Sequence, residues 1–148
     1  MTSNHPEGQR DMIYLGFYRE LNPGGAPDPN PAAVYRESIQ DALTPPGDYP
    51  TDTVAGYLDA GHPMLDIMEL TTDVVDRAFQ VPGGSSVLTD GTYAWRLDLA
   101  QYVRHYTPAL PPAFLTRALA PAGVPPLTQD QLIALSGRIT ADLGFRSS

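Results

Sequence analysis

The chain has 148 residues, 42% hydrophobic and 18% charged, a balance that supports one domain with a single core and excludes a disordered chain despite 16 prolines. With no cysteine, disulfide staples, thiolate nucleophiles and Cys-rich zinc sites are excluded, and a cytoplasmic location is expected. The formal net charge of −8, with arginine supplying all 9 basic residues, disfavours nucleic acid and favours a basic protein partner.

Residues 1–11 read as a flexible polar arm ahead of a single domain over 12–148. They contain no signal-peptide stretch, and no later apolar run is long enough to cross a bilayer, so no membrane is expected. The run Met12 to Tyr18 is apolar on both period-two faces; strand is the preferred reading, helix the alternative. Prolines and glycines force a loop from Asn22 to Pro29. Asn30 as N-cap and Pro31 at the first helical position then open a predicted helix. Its buried face is Ala32, Tyr35, Ile39 and Ala42, it ends at Thr44-Pro45-Pro46-Gly47, and Arg36, Glu37 and Asp41 face water.

Thr51 is expected to cap a short helix with Val54, Tyr57 and Leu58 inward and Gly61 at its end. The stretch 64–76 fits both a helical turn, through Asp66 and Glu69, and a strand, through the branched residues of 70–75. After the turn at Val81 to Ser85, Asp90-Gly91 predicts a two-residue hairpin. The register then sets Thr89 opposite Thr92, Leu88 opposite Tyr93, Val87 opposite Ala94 and Ser86 opposite Trp95, with Leu88, Tyr93 and Trp95 facing the core.

Asp98, with Gln101 three residues on, is expected to cap a helix that buries Leu99, Tyr102, Val103 and Tyr106. Pro111-Pro112 opens another with Phe114, Leu115, Ala118 and Leu119 inward, and a Thr128/Gln131 capping box opens the last, with Leu135, Ile139 and Leu143 inward and Gly144 at its end. The fold expected is α+β: a small antiparallel sheet with an Asp-Gly hairpin packed against about five helices.

The segments Gly16 to Leu21, Tyr57-Leu58 with Gly61, Asp73-Val74, and Thr89-Asp90-Gly91 with Trp95 resemble those of a group of small bacterial proteins to which no reaction is assigned. The resemblance continues through Asp98-Leu99, Tyr102-Val103, Tyr106, Leu110-Pro111 and Phe114. It implies a shared fold over Met12 to Leu119, with 124–146 a C-terminal helical addition, and implies no catalytic residues.

Several constellations are candidates for chemistry. Tyr18, Arg19, Glu20 and Arg96 are a candidate pocket rim, with an arginine fork for an anionic group on a small molecule or hydrolase substrate. Asp52, Asp59, Asp66 and Asp73, seven residues apart, mark a candidate acidic surface, although Gly61-His62-Pro63 breaks any helix through all four. The turn Pro82 to Ser86 could cradle an anion but fits a plain turn better. His5, His62 and His105 have no metal-ligand spacing, and no metal or cofactor is expected. Asp73 with Asp76 and Asp90 with Asp98 are possible acid–base pairs, but Asp90 and Asp98 are already explained by the turn and the cap.

The reading this favours is a protein-interaction module, immunity-like or inhibitory, for a basic partner, and it leans away from an enzyme. A small-molecule binder or hydrolase is the alternative, and a homodimer built on the C-terminal helix is the third.

Overall fold

The computed structural model describes residues 12–21 and 34–144. The arm at 1–11, the loop at 22–29 and the helix start at Asn30-Pro31 lie outside the described residues.

The domain is α+β, built on a four-stranded sheet. Strand β5 (Val87–Thr89) and strand β6 (Tyr93–Arg96) form the hairpin, β2 (His62–Leu65) pairs antiparallel with β5, and β1 (Ile13–Leu15) pairs parallel with β6. The sheet is therefore mixed, since β1 joins it in parallel. A separate antiparallel ribbon consists of β3 (Leu70–Thr72) and β4 (Gln80–Pro82). The ambiguous stretch 64–76 thus holds strand, in two pieces separated by irregular chain, and no helix.

The hairpin closes at Asp90-Gly91 in a register different from the expected one. Thr89 pairs with Ala94, Leu88 with Trp95 and Val87 with Arg96. The Asp90 carboxylate accepts the amides of Thr92 at 2.9 Å and Tyr93 at 2.8 Å, and the Asp90 amide donates to the Tyr93 carbonyl. That centres the turn on Gly91-Thr92 and moves the pairing by two positions. Because side chains alternate with period two, the same residues still share a face.

One face of the sheet, bearing Leu88, Tyr93 and Trp95, packs under α2 (Thr51–Asp59), α3 (Leu99–Tyr106) and α4 (Pro112–Ala118). The Trp95 indole is 1% exposed, donates to the Leu58 carbonyl at 3.0 Å and lies beside Tyr57 and Phe114. The opposite face, with Val87 and Ala94, is covered by Met12, Phe17 and Ile139 of α5 (Gln129–Asp142). Helix α5 starts with the expected capping box, Thr128 and Gln131 each accepting the other's amide. Tyr14 ties its far end to β1 by donating to Asp142 at 2.7 Å. The last helix therefore completes the second layer of the core.

The remaining helix, α1 (Ile39–Ala42), is shorter than periodicity predicts. Residues 34–37 are not helical, and Ser38 is the N-cap, accepting the Gln40 amide at 3.2 Å. Glu20 accepts the Ile39 amide and the Ser38 hydroxyl, so the helix starts where those donors are met from outside. Thr51 is the first residue of α2 and gives no side-chain cap, because Pro50 holds the cap position.

Gly61, where α2 turns into β2, shows how closely the indole is gripped: a Cβ there would stand 2.6 Å from the Trp95 ring. Gly61→Ala is expected to destabilise the domain by about 1–3 kcal/mol through overpacking. A urea titration followed by the fluorescence of Trp95, the single tryptophan, reads this as a lower midpoint with unchanged slope; an unchanged midpoint would refute the contact.

Candidate functional site

Among the described residues three carboxylates are buried, and each is held by a different set of donors. Asp98 follows β6 by two residues and takes the Arg96 guanidinium in a two-pronged contact, Nε to Oδ1 at 3.1 Å and Nη2 to Oδ2 at 2.9 Å. Thr71 donates to the same carboxylate at 3.0 Å. Arg96 also donates to the Leu21 carbonyl and the Tyr35 hydroxyl. Burial pushes the Asp98 carboxyl above the usual range, although Arg96 and Thr71 pull it down. Arg96 is held above its ordinary value because Asp98 outweighs the cost of burial. Asp98 was expected to cap α3, but makes no side-chain cap bond; the buried guanidinium is the stronger claimant on its oxygens.

Asp90 accepts the Tyr57 hydroxyl at 2.6 Å and Arg117 Nε at 2.8 Å in addition to the turn amides, so this turn residue also anchors α2 and α4. Asp73 accepts the amides of Val75, Asp76 and Ala78 and the hydroxyl of Tyr106. Burial acts to raise its pKa, but the Tyr106 hydroxyl and the three amides outweigh that and hold it below the usual carboxylate range. The Tyr106 phenol is pushed up to about 12 by desolvation and by Asp73.

The four residues expected on one pocket rim do not meet there. Arg96 is buried and fully engaged with Asp98, Leu21 and Tyr35, so it offers no fork to a ligand. Glu20 holds the start of α1, and Ser38 and Ile39 keep its pKa low against the opposing pull of burial. Arg19 is exposed on the 3-10 turn Arg19–Leu21, its amide donating to the Glu37 carbonyl. Tyr18 is buried in the core and lines a cavity of about 270 Å³ between 13–16 and 109–111. The charged residue on that lining is Glu37, whose pKa is raised by burial and by Asp41.

The acidic surface also needs correction. Asp73 is 1% exposed, a turn-holding residue drawn inward by the Tyr106 hydroxyl of α3. Asp52 and Asp59 are exposed two turns apart on α2, and Asp66 is exposed beyond β2. Asp59 is paired with Arg104 at 2.9 Å, an exposed bridge worth at most about 1 kcal/mol. Among the described residues, no ion pair joins Asp52 or Asp66.

The turn at 82–86 has no amides to spare for an anion along its glycines. Gly83 and Gly84 donate to the Glu69 carbonyl, Ser86 donates to the Gly83 carbonyl, and the Ser85 hydroxyl donates to the Glu69 carboxylate at 2.6 Å. Gly84 is required there, since a Cβ would stand 1.8 Å from Thr71 Oγ1. His62 contacts the Pro125 carbonyl and His105 lies against Phe79, while His5 is outside the described residues. Among the described residues no cluster of three metal-ligating side chains occurs, and no helix is long and apolar enough to cross a membrane.

Sequence reasoning missed Glu69, Thr71 and Arg117 as partners of buried groups. The signal for the first two was polar residues at alternate positions 69, 71 and 73 inside a branched stretch. No protein-family model, curated protein or solved structure matches the chain.

Asp98→Ala is expected to cost about 3–5 kcal/mol by stranding the buried guanidinium, whereas Asp59→Ala changes stability by less than about 1 kcal/mol. Chemical denaturation of both variants checks the contrast. The Asp73 contribution, from a depressed pKa, is present above the unfolded carboxyl value of about 3.9 and is lost as pH falls through the lower folded value. Tyr106→Phe raises that folded value, so the fall in melting temperature between neutral and acidic pH is expected to shrink; an undiminished fall would refute the role of this hydroxyl.

Proposed function

We propose that the chain is a protein-interaction module, immunity-like in that it covers and inhibits a basic protein partner. The observation that carries this is the division of the carboxylates. Asp73, Asp90 and Asp98 are satisfied by internal donors, while Asp52 and Asp66 stand exposed on a chain of net charge −8. Interior acids with full sets of partners hold the fold together; exposed acids that pair with no cation among the described residues create a field that steers a cationic surface and repels phosphates. The cysteine-free composition fits a reducing compartment, so the cytoplasm is the proposed location. A homodimer through α5 is a poorer fit, because Ile139 is already buried against the sheet, although Ile133 stays exposed.

The cavity beside Tyr18 favours a second reading as a small-molecule binder, whose ligand would meet the carboxylate of Glu37 in place of an arginine fork.

The test is to capture partners on the immobilised chain, purify the captured protein and titrate it back at several salt concentrations. A basic partner whose affinity falls at least tenfold between about 0.1 M and 1 M salt is expected, because the screening length shrinks from about 10 Å to about 3 Å. A neutral or acidic partner, or salt-independent affinity, would overturn the proposal.

A further inference from the structure

Resting on the partner class proposed above, we infer that the outer face of the β3–β4 ribbon is the docking surface, and that it takes an apolar segment flanked by cationic side chains on the partner. The β3 side of the ribbon is patterned inside out. In a surface strand the apolar positions normally turn inward and the polar ones outward. Here the inward positions 71 and 73 are polar and tied down: Thr71 donates to Asp98 and Asp73 accepts from Tyr106. The alternate set is apolar and exposed, Met68 at 96%, Leu70 at 57% and Val74 at 40%.

Asp66, in the irregular chain ahead of β3, and Asp76, in the turn after it, are both exposed. Met68, Leu70 and Val74 thus form an exposed apolar stretch, with Asp66 ahead of β3 and Asp76 in the turn after it as a carboxylate at either end, and Arg77 is the next cation in sequence. Leu70 pairs with Pro82 and Thr72 with Gln80, so the row is widened by Pro82, which is also exposed.

The inward polar residues fix this orientation. Turning the ribbon over to hide Met68 and Leu70 would strip Thr71 from Asp98 and Asp73 from the Tyr106 hydroxyl, leaving buried polar groups without partners. The row is therefore held outward by the same contacts that satisfy the core.

Charge selects the occupant. A second copy of the chain, paired face to face about a two-fold axis, would set the Asp66 end of one row against the Asp76 end of the other, carboxylate against carboxylate. A segment with leucine- or valine-like residues between arginines or lysines meets the apolar row with its centre and both acids with its ends.

The experiment uses the full-length ¹⁵N-labelled chain and three synthetic peptides, one alternating leucine with arginine, one leucine with glutamate and one serine with arginine. The leucine–arginine peptide is expected to bind, with amide shift changes concentrated in residues 66–82, and the other two to bind at least tenfold more weakly. Met68→Ser with Leu70→Ser, both at exposed positions, is expected to weaken binding at least tenfold without lowering the melting temperature. Asp66→Asn with Asp76→Asn is expected to flatten its salt dependence.

Shift changes elsewhere, undiminished binding by the Met68/Leu70 variant, or no binding of the leucine–arginine peptide would overturn the docking surface. Self-association in sedimentation that this variant abolishes would overturn the choice of occupant. Salt-sensitive capture of a basic protein that the variant leaves unchanged would sink the ribbon while sparing the function proposed above.

Discussion

The contact between the Arg96 guanidinium and the Asp98 carboxylate is where four parts of the chain are fastened. Arg96 ends β6, Asp98 precedes α3, the Leu21 carbonyl brings in the N-terminal segment, and Thr71 brings in the outer ribbon. Both side chains are almost fully buried, so the pair gains attraction only by giving up water on both sides. Replacement by apolar residues of matching shape would remove that penalty, but it would also remove the hydrogen bonds that orient the ribbon and the first segment. The pair therefore specifies an arrangement more than it adds stability, which is the role best suited to a buried charge in a small core.

Asp90 and Asp73 repeat the device on either side. Asp90 gathers α2, α4 and the hairpin turn through Tyr57, Arg117 and two amides. Asp73 gathers the turn after β3 and the end of α3. In all three, a short acidic side chain adjoining a strand is matched by tyrosine, arginine, threonine or backbone amides reaching from other elements. Three of the acidic side chains are thus interior architecture, and the exposed ones shape the outer field.

How much of this was legible depended on how local the cause was. The capping box at Thr128 and Gln131 and the proline start of α4 could be read because each is complete within a few residues. The hairpin was legible in kind and in face, and its register was missed because the Asp90 side chain competes for the turn amides. The parallel seat of β1 had no local signal, since its partner lies at Tyr93 to Trp95. Helix α1 was overextended because apolar spacing says nothing of where Glu20 will meet its first amides. Asp98 and Arg96 were misassigned for a common reason: a cap and a rim are surface roles, and their burial follows from packing that brings Thr71, Leu21 and Tyr35 to the same place.

The parallel seat of β1 also orders events during synthesis. Ile13 to Leu15 leave the ribosome well before Tyr93 to Trp95, the residues they pair with. Until then the segment has no neighbour in the sheet and must wait with its ladder groups in water, while hairpin closure is quick and local. A waiting strand of three residues presents little edge to other nascent chains, so its brevity is a safeguard against misassembly during that interval.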